Sequence, residues 1–267
     1  MFQSSLFDLC DRVVVITGGL GQLGRQFMAS LVAHGARVAV VDLPVVPPDW
    51  FAESESICYV HADVTDRCSL EAALTCIASR WEAPFGLINN AALDSPPGSP
   101  AEENGPFESY PNASFRRVME VNVTGVFLAC QVFGGAMAKA GRGSVVNIGS
   151  TYGLVSPNQD LYQFRRDAGE EFFKPVAYSV SKSALLNMTR YLATYWGEAG
   201  VRVNTLCFGG VFNNQDERFL VEYAKRVPMR RMAREDEYNG AAVFLMSDAS
   251  SYMTGATMII DGGWTAW

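Results

Sequence analysis

The length, composition and charge of the chain exclude several classes of protein. It has 267 residues, 49% of them hydrophobic, so it can bury a full core as one α/β unit. Its net charge of −7 argues against a nucleic-acid surface, which would need a basic stripe. The sequence has no run of about 20 uncharged apolar residues, and it therefore predicts no membrane span.

The cysteines bear on metal binding and on compartment. The six cysteines are scattered and form no C-x-x-C pair, and only His34 and His61 could join them at a metal. Unpaired thiols suit a reducing compartment, and residues 1–5 lack the basic flank and apolar run of a secretory signal. We therefore expect a cytoplasmic protein without a bound metal.

Short β-branched runs alternate along the chain with longer segments of helical period. In chain order the sequence predicts a strand at 12–16, a helix at 22–34, strands at 37–41 and 57–61, a helix at 69–81, a strand at 85–89, a helix at 114–139, a strand at 144–148, a helix at 177–196, a strand at 201–207, a helix at 236–247 and a strand at 257–260. Apolar strands that alternate with helices indicate a parallel sheet, and right-handed crossovers make it doubly wound. The predicted fold class is α/β, a Rossmann-type, mainly parallel seven-stranded sheet with helices on both faces, in one domain over residues 1–267.

Two stretches interrupt the alternation. Residues 94–106 are rich in Pro, Gly and Ser, and they predict a loop. Residues 156–175 separate the fifth strand from its helix and are long for such a connection, as functional loops often are. Both stretches follow the carboxyl ends of strands, where α/β sheets bind ligands, so the second is predicted to be a substrate-loop insertion.

The first strand runs into a glycine-rich turn that predicts a dinucleotide site. The glycines of residues 17–24 spell G-x-G-x-x-G between a strand and a helix, where a pyrophosphate faces a helix N-terminus. The second strand ends at Asp42, about 20 residues later, where a carboxylate binds ribose hydroxyls and repels a 2′-phosphate. Neither Leu43 nor Pro44 offers that phosphate a cation, so NAD is predicted over NADP. The alternatives are an ordinary glycine turn and a surface acid.

Three side chains are candidates for proton transfer. Tyr178 and Lys182 lie four residues apart near the start of a predicted helix, and so they share one face. An ammonium near a phenol lowers the phenol's pKa, so this tyrosine can act as a general base or acid. Ser150 ends the fifth strand and could hold the substrate oxygen. Y-x-x-x-K and a turn serine each occur by chance, but their position after a nucleotide-binding sheet favours catalysis.

These motifs together resemble the short-chain dehydrogenase/reductase family over nearly the whole chain. Further segments that match family motifs are Asp63-Val64, Asn89-Asn90-Ala91-Ala92, Asn122, Phe208-Gly209-Gly210 with Val211, and Asp261-Gly262-Gly263-Trp264. The resemblance implies an NAD-dependent oxidoreductase that moves a hydride between nicotinamide and a hydroxyl or carbonyl carbon of a small polar substrate.

The resemblance also implies roles for individual residues. Tyr178 would exchange the proton, Ser150 would position the substrate oxygen, Lys182 would hold the nicotinamide ribose, and Asn122 would steady a relay water. The implied cofactor-binding residues are Thr17, Gly18, Gly21, Gln22, Leu23, Gly24, Asp42, Leu43, Asp63, Val64, Asn90, Ala91, Ala92, Tyr178, Lys182, Gly209, Val211 and Asn213.

The chain departs from the family pattern at several positions. Gln22 stands where classical members have glycine, and Ala92 replaces the glycine of N-N-A-G. Phe208 replaces proline, and Asn213 stands where a threonine often contacts the cofactor. We expect cofactor binding to survive these changes, with altered contacts near the pyrophosphate and the carboxamide.

Substrate and subgroup are predicted from fewer residues. Residues 156–175, 208–219 and 243–264 resemble oxidoreductases of the flagellin-modification type, which act in bacterial sugar pathways. Tyr152, Arg165 and Arg166 are candidate substrate residues, since aromatic and arginine side chains suit a sugar or an anionic polyol. The alternative is a solvated loop in which nearby glutamates balance the arginines. A steroid-like substrate is less favoured.

Two other functions remain open from the sequence. One is a carbonyl or acyl-thioester reductase with the same residues, which would prefer NADPH and is disfavoured by Asp42. The other is an inactive NAD-binding sensor or partner protein, although Asn122, Ser150, Tyr178 and Lys182 are all present. The resemblance implies a homo-oligomer, a dimer or tetramer that pairs two long helices, whose apolar faces also serve as ordinary core.

Overall fold

The computed structural model describes residues 6–94 and 103–267, and the described chain is built around one parallel sheet. The strands are β1 (Val13–Thr17), β2 (Arg37–Asp42), β3 (Ile57–His61), β4 (Gly86–Asn89), β5 (Gly143–Ile148), β6 (Val201–Phe208) and β7 (Thr257–Ile260). The helices are α1 (Gln22–Ala33), α2 (Arg67–Arg80), α3 (Asn112–Ala140), α4 (Gln163–Asp167), α5 (Val176–Trp196), α6 (Glu217–Arg226) and α7 (Asn239–Met246).

The order of the strands determines where a ligand can enter. The sheet runs β3-β2-β1-β4-β5-β6-β7, and every pair is parallel, which confirms the predicted fold class. The winding direction reverses between β1 and β4, whose last residues, Thr17 and Asn89, lie opposite each other. A crevice at such a reversal, at the carboxyl ends of the strands, is where ligands bind in open α/β sheets.

Side chains of each strand alternate between two cores. Val13 and Val15 of β1 pack with α2, α3 and α5 on one face, whereas Val14 and Ile16 pack with α1 and α7 on the other. Both faces of the sheet are therefore covered, and the central strands are fully buried.

The α3 helix is long and apolar enough to pass a length-and-composition test for a membrane span, but half of its most apolar window is buried inside the protein. It contains two wide-turn stretches, Glu120–Gly125 and Cys130–Gly134. Its buried side, including Phe133 and Met137, belongs to the core beside the sheet. This burial makes α3 a core helix, a type that passes the same test.

The structure adds elements that the sequence pattern did not predict. Residues 156–175 contain the short 3-10 helix Gln159–Tyr162 followed by α4. Helix α6 follows the loop after β6 and begins at the cap residue Asp216, whose carboxylate accepts a hydrogen bond from Arg218 N. Of the predicted loop at 94–106, residues 95–102 lie outside the described residues. That the chain forms a single domain stays a prediction.

Candidate cofactor and active site

The turn after β1 is pinned to the end of β4. The side chain of Asn90 donates to the carbonyl oxygen of Gly18 at 2.8 Å, and Thr17 Oγ1 accepts from the backbone of Ala91 at 3.2 Å. Gly18 has φ +64°, and a Cβ there would lie 2.7 Å from Ala91 Cα. Only glycine fits this close crossing, so the glycine pattern reflects a real steric demand.

The same turn leaves the first turn of α1 open to a ligand. Gly21 caps the helix without a side-chain hydrogen bond, so the N–H groups of Gln22 and Leu23 find no partner inside the helix. A Cβ at Gly24 would lie 2.6 Å from the carbonyl oxygen of Gly18, which explains the tight packing of turn on helix. Unpaired N–H groups at a helix N-terminus fit a pyrophosphate.

Asp42 lies beside this turn at the carboxyl end of β2. Its Oδ2 accepts a hydrogen bond from Leu20 N at 3.0 Å, and its Oδ1 accepts one from Leu43 N at 2.8 Å. The Leu43 side chain is exposed. A carboxylate fixed next to the pyrophosphate turn fits the ribose of an adenine nucleotide, so the residues present suit a dinucleotide.

The remaining predicted cofactor residues lie on loops around the same crevice. Asp63 Oδ1 accepts hydrogen bonds from the backbone and hydroxyl of Thr65, both at 2.8 Å, and Val64 is buried against α3. Ala92 follows Ala91 and is exposed. Gly209 donates to the carbonyl of Ile260 and so holds the end of β6 against β7.

Two departures from the family pattern meet in the structure. Gln22 donates through Nε2 to the carbonyl oxygen of Phe212 at 2.9 Å, which ties the glycine turn to the segment after β6. In that segment Val211 pairs with Ala233, and the backbone N–H of the exposed Asn213 donates to a glutamine side chain nearby. The amide that replaces a glycine thus joins two cofactor-side loops.

The candidate catalytic side chains come together at the carboxyl end of β5. Ser150 is buried, its Oγ accepts a hydrogen bond from Tyr152 N at 3.1 Å, and its hydroxyl lies close enough to Tyr178 to lower the pKa of that phenol. Lys182 is buried and donates from Nζ to the carbonyl oxygen of Ile148 at 2.8 Å. Its Nζ lies 5.7 Å from the centre of the Tyr178 ring. The predicted trio therefore shares one site.

Burial is the largest cause of the pKa shifts of Tyr178 and Lys182. Burial raises the pKa of Tyr178, the carboxylate of Asp94 raises it further, and the Ser150 hydroxyl opposes both. Burial lowers the pKa of Lys182 to about 8, and the same Asp94 carboxylate partly offsets that shift. Burial is therefore the largest cause of the raised Tyr178 pKa in the protein alone, and the lowering of that pKa by the Lys182 ammonium stays a prediction.

Asn122 joins the loop after β4 to the helix that carries Tyr178. It lies buried in the first wide-turn stretch of α3, where its Oδ1 accepts from Leu93 N at 2.7 Å. Its Nδ2 donates to the carbonyl of Leu93 at 2.9 Å and to Ser181 Oγ at 3.0 Å. Ser181 in turn donates to the carbonyl of Tyr178. The side chain thus braces the catalytic region.

An aromatic wall flanks the cluster. Tyr152 meets Trp264 edge to face at 6.5 Å between ring centres, and Tyr162 packs on Phe172 at 4.9 Å and on Phe219 at 5.5 Å. Burial raises the pKa of both tyrosines, so their phenols stay neutral donors and acceptors. Tyr152, a predicted substrate residue, therefore belongs to this aromatic wall, and its contact with substrate stays a prediction.

The two predicted arginines are engaged by their own segment. Arg165 pairs with Glu170 at 2.6 Å and covers the Phe172 ring at 3.9 Å. Arg166 donates to the carbonyls of Phe172 and Gln159 at 3.0 and 2.9 Å. The structure does not bring them to Tyr178; it uses them to organise residues 156–175.

Two charged residues that lie at the site were not predicted from the sequence. Lys174, at the end of that segment, donates to Asp94 Oδ1 at 2.5 Å, and its Nζ lies 5.2 Å from the centre of the Tyr178 ring. They are 80 residues apart, and no local spacing links them. The available signals were the charge of Lys174 four residues before Tyr178 and the place of Asp94 just after Asn89-Asn90-Ala91-Ala92.

The described residues show no metal centre. Across residues 6–94 and 103–267, no three His, Cys, Asp or Glu side chains gather as a metal-binding group would. The thiols of all six cysteines are free, and the largest cause of the raised pKa of Cys207, near Tyr178, is burial.

Comparison with known proteins gives consistent matches along the chain. A family model described as short chain dehydrogenase matches residues 12–163, and one described as Enoyl-(Acyl carrier protein) reductase matches residues 168–265. The galactitol 2-dehydrogenase (L-tagatose-forming) of Cereibacter sphaeroides is 32% identical over 98% of each chain. The D-threitol dehydrogenase of Mycolicibacterium smegmatis is 29% identical over 97% of this chain and 95% of its own.

A solved structure matches the fold over nearly the full length. The short chain dehydrogenase from Leptospira borgpetersenii serovar Hardjo-bovis with bound NAD+ superimposes with a TM-score of 0.86 at 29% identity, covering 99% of this chain and 97% of that one. The first family model spans more than half of the chain, so these matches assign the chain to a family. The chain belongs to the short-chain dehydrogenase/reductase family, whose members are oxidoreductases.

Proposed function

We propose that this protein oxidises a secondary alcohol of a small polyol with NAD+ as hydride acceptor, and reduces the corresponding ketone in reverse. The observation that carries the proposal is the cluster of Ser150, Tyr178 and Lys182 at the carboxyl end of β5, beside the glycine turn of β1. The polyol class is supported by the names of two relatives, a galactitol and a D-threitol dehydrogenase.

The proposed mechanism assigns each side chain one task. Tyr178, once ionised, takes the hydroxyl proton of the substrate at its phenolic oxygen. Ser150 donates a hydrogen bond to the same substrate oxygen and stabilises its charge. Lys182 holds the nicotinamide ribose, and its ammonium favours the phenolate. A bound NAD+ would supply the hydride acceptor and a positive charge beside the tyrosine.

The proton must also reach solvent. Lys182 lies next to the carbonyl of Ile148, and Asn122 braces the loop and helix on either side. We propose that Asn122 orders a water that passes the proton from Lys182 outward. Its three side-chain hydrogen bonds to Leu93 and Ser181 keep that wall in place.

NAD rather than NADP is proposed as the cofactor. Asp42 is anchored by two backbone N–H groups, so its carboxylate cannot easily turn away from a ribose 2′-phosphate. A fixed negative charge there repels the phosphate and accepts hydrogen bonds from the free ribose hydroxyls of NAD.

The first test is an activity panel. The protein is mixed with NAD+ or NADP+ and with alditols, sugars, sugar acids, sugar phosphates and simple alcohols, and NADH or NADPH is followed by absorbance. We expect turnover of alditols with NAD+. If no substrate of the panel is turned over while calorimetry shows that NAD+ binds, the proposal is contradicted and an inactive NAD-binding protein is favoured. Faster turnover with NADPH and a carbonyl compound would favour a carbonyl or acyl-thioester reductase.

The resemblance to flagellin-modification oxidoreductases stays a prediction, as do the cytoplasmic location and the single domain. We also propose a homo-oligomer. Tyr191 and Tyr195 of α5 are exposed and stack on each other, and Phe127 of α3 is exposed. Light scattering during gel filtration measures the mass of the particle, and a monomer would contradict pairing through these helices.

A further inference from the structure

Lys174 is held in an unusual place for a lysine. Its side chain is only 10% exposed, although it lies on a surface segment. The side-chain amide of Gln159 hydrogen-bonds with the Lys174 backbone twice: it accepts from Lys174 N at 2.9 Å and donates to the Lys174 carbonyl oxygen at 3.2 Å. Arg166 donates to the carbonyl of Gln159 in turn. Residues 156–175 therefore deliver one ammonium to the face of Tyr178.

Asp94 accepts a hydrogen bond from that ammonium beside the Tyr178 ring. Its side chain is 48% exposed while Oδ1 accepts from Lys174, so the pair reaches solvent on the acid side. Its negative charge raises the pKa of Tyr152, Tyr162 and Tyr178, which come from three different elements. Lys174 Nζ lies 5.2 Å from the centre of the Tyr178 ring, so the ion pair of Asp94 and Lys174 lies next to the candidate proton-transfer residue.

The pair has the hydrogen-bonding capacity to bind a hydroxyl. An ammonium carries three N–H donors and a carboxylate accepts at about four lone-pair sites, so an ion pair of this kind offers a hydroxyl both donors and acceptors. A hydroxyl group both donates and accepts, and it suits such a pair. The pair is neutral overall, so it offers a substrate carboxylate no net positive charge.

Building on the proposed function, we propose that Asp94 and Lys174 form a specificity-determining pair that binds the hydroxyl on the carbon next to the reacting one. The pair selects uncharged polyols over simple secondary alcohols, which lack that hydroxyl, and over sugar acids, which carry a charge. It acts beside the proton-transfer residues and takes no proton itself.

The test compares three substrates in the native protein and in Asp94→Asn. Threitol has the neighbouring hydroxyl, isopropanol lacks it, and threonate adds a carboxylate. In Asp94→Asn we expect kcat/KM for threitol relative to isopropanol to fall about tenfold, chiefly through KM, as for loss of a hydrogen bond to a charged group. We expect kcat/KM for threonate relative to threitol to rise.

The matched control is Glu82→Gln. Glu82 is also a half-exposed carboxylate in an ion pair, with Arg142, but it lies at the opposite end of the sheet, before β4. It should leave both ratios unchanged. If Asp94→Asn moves the ratios no more than Glu82→Gln does, the inference is overturned.

A double variant tests whether the two residues act together. Lys174→Gln should lower the threitol to isopropanol ratio, and Asp94→Asn with Lys174→Gln should lose little more than the larger single loss, because both changes remove one shared contact. If the fold-losses of the two single variants multiply in the double variant, the residues act independently and the inference is overturned.

Failure of this inference is distinguishable from failure of the proposed function. If the native protein oxidises isopropanol as well as threitol, the inference about the pair is overturned, but the proposed oxidoreductase function stands. If no substrate turns over, the proposed function fails, and calorimetry of threitol with the NADH-loaded protein decides the pair. Binding that weakens about tenfold in Asp94→Asn supports it; equal binding, or none, overturns it.

Discussion

The proposed cofactor side and the proposed substrate side of the crevice are built differently. On the cofactor side the turn at Gly18 and the helix end at Gly21 use backbone shape, and Asp42 is fixed by two backbone N–H groups. On the substrate side Lys174 and Asp94 meet through side chains that are 80 residues apart. One side is local in sequence, and the other depends on tertiary contacts.

This difference explains which side can vary. A backbone cradle constrains a few residues to glycine but tolerates change around them, as Gln22 shows by bonding to Phe212. A side-chain pair such as Asp94 with Lys174 can change with one substitution at either end. We therefore expect cofactor binding to be robust and substrate choice to be easily altered.

The largest expected effect is at Tyr178, where the two sides meet. Tyr178→Phe removes the group that exchanges the proton, so kcat should fall by about 10²–10⁴, the usual contribution of general acid–base catalysis. The affinity for NAD+ should stay nearly unchanged, because the aromatic ring remains. Steady-state kinetics with the best polyol and calorimetry with NAD+ measure the two quantities.

Retained turnover in Tyr178→Phe would show that another group exchanges the proton. Ser179→Ala is the matched control on the same helix turn, since it removes a neighbouring hydroxyl outside the predicted catalytic residues. A loss of NAD+ affinity as large as the loss of kcat would mean that the ring, rather than the hydroxyl, mattered.

Asp42→Ala tests the cofactor side alone. The preference for NAD+ over NADP+, measured as a ratio of kcat/KM, should narrow about tenfold, because a hydrogen-bonded ribose contact and a repulsive charge are both lost. The ratio of threitol to isopropanol should not change. An unaltered cofactor preference would show that Asp42 does not contact the ribose.

The contrast also explains what could be read from the sequence. All seven strands were predicted, because a strand buried on both faces is a local apolar run, and the glycine turn followed from its place between strand and helix. Helix α6 was missed although its signal was present, with the cap Asp216 followed by Phe219, Leu220 and Tyr223 at helical spacing.

The substrate side was harder for a physical reason. Arg165 and Arg166 have the charge of anion-binding residues, but charge does not say whether carbonyls and carboxylates of the same segment will satisfy it. Likewise, no periodicity links Lys174 to Asp94. Such contacts depend on how long loops pack, and a single sequence carries little information about that packing.

A smaller effect separates the two arginines. Arg166→Ala removes donors from the carbonyls of Gln159 and Phe172 and should loosen Lys174, so KM for threitol should rise by about threefold to tenfold. Arg165→Ala breaks a partly exposed ion pair with Glu170 and should change KM little. A rise confined to threonate would instead support the sequence-based prediction that these arginines bind an anion directly.

The smallest expected effect is a shift of the pH profile in Asp94→Asn, measured with isopropanol so that the neighbouring hydroxyl plays no part. The Asp94 carboxylate raises the pKa of Tyr178 and that of Lys182. Its neutralisation lowers both, so the phenol ionises at lower pH and the ammonium is also lost at lower pH.

Both limbs of the plot of kcat/KM against pH should therefore move to lower pH together. The other groups near the phenol are Ser150, Cys207 and the two lysines at 174 and 182, and all remain in place. A profile that stays fixed, while the threitol ratio falls, would mean that Asp94 binds substrate without coupling to the proton-transfer groups. A move to higher pH would contradict the electrostatic contact itself.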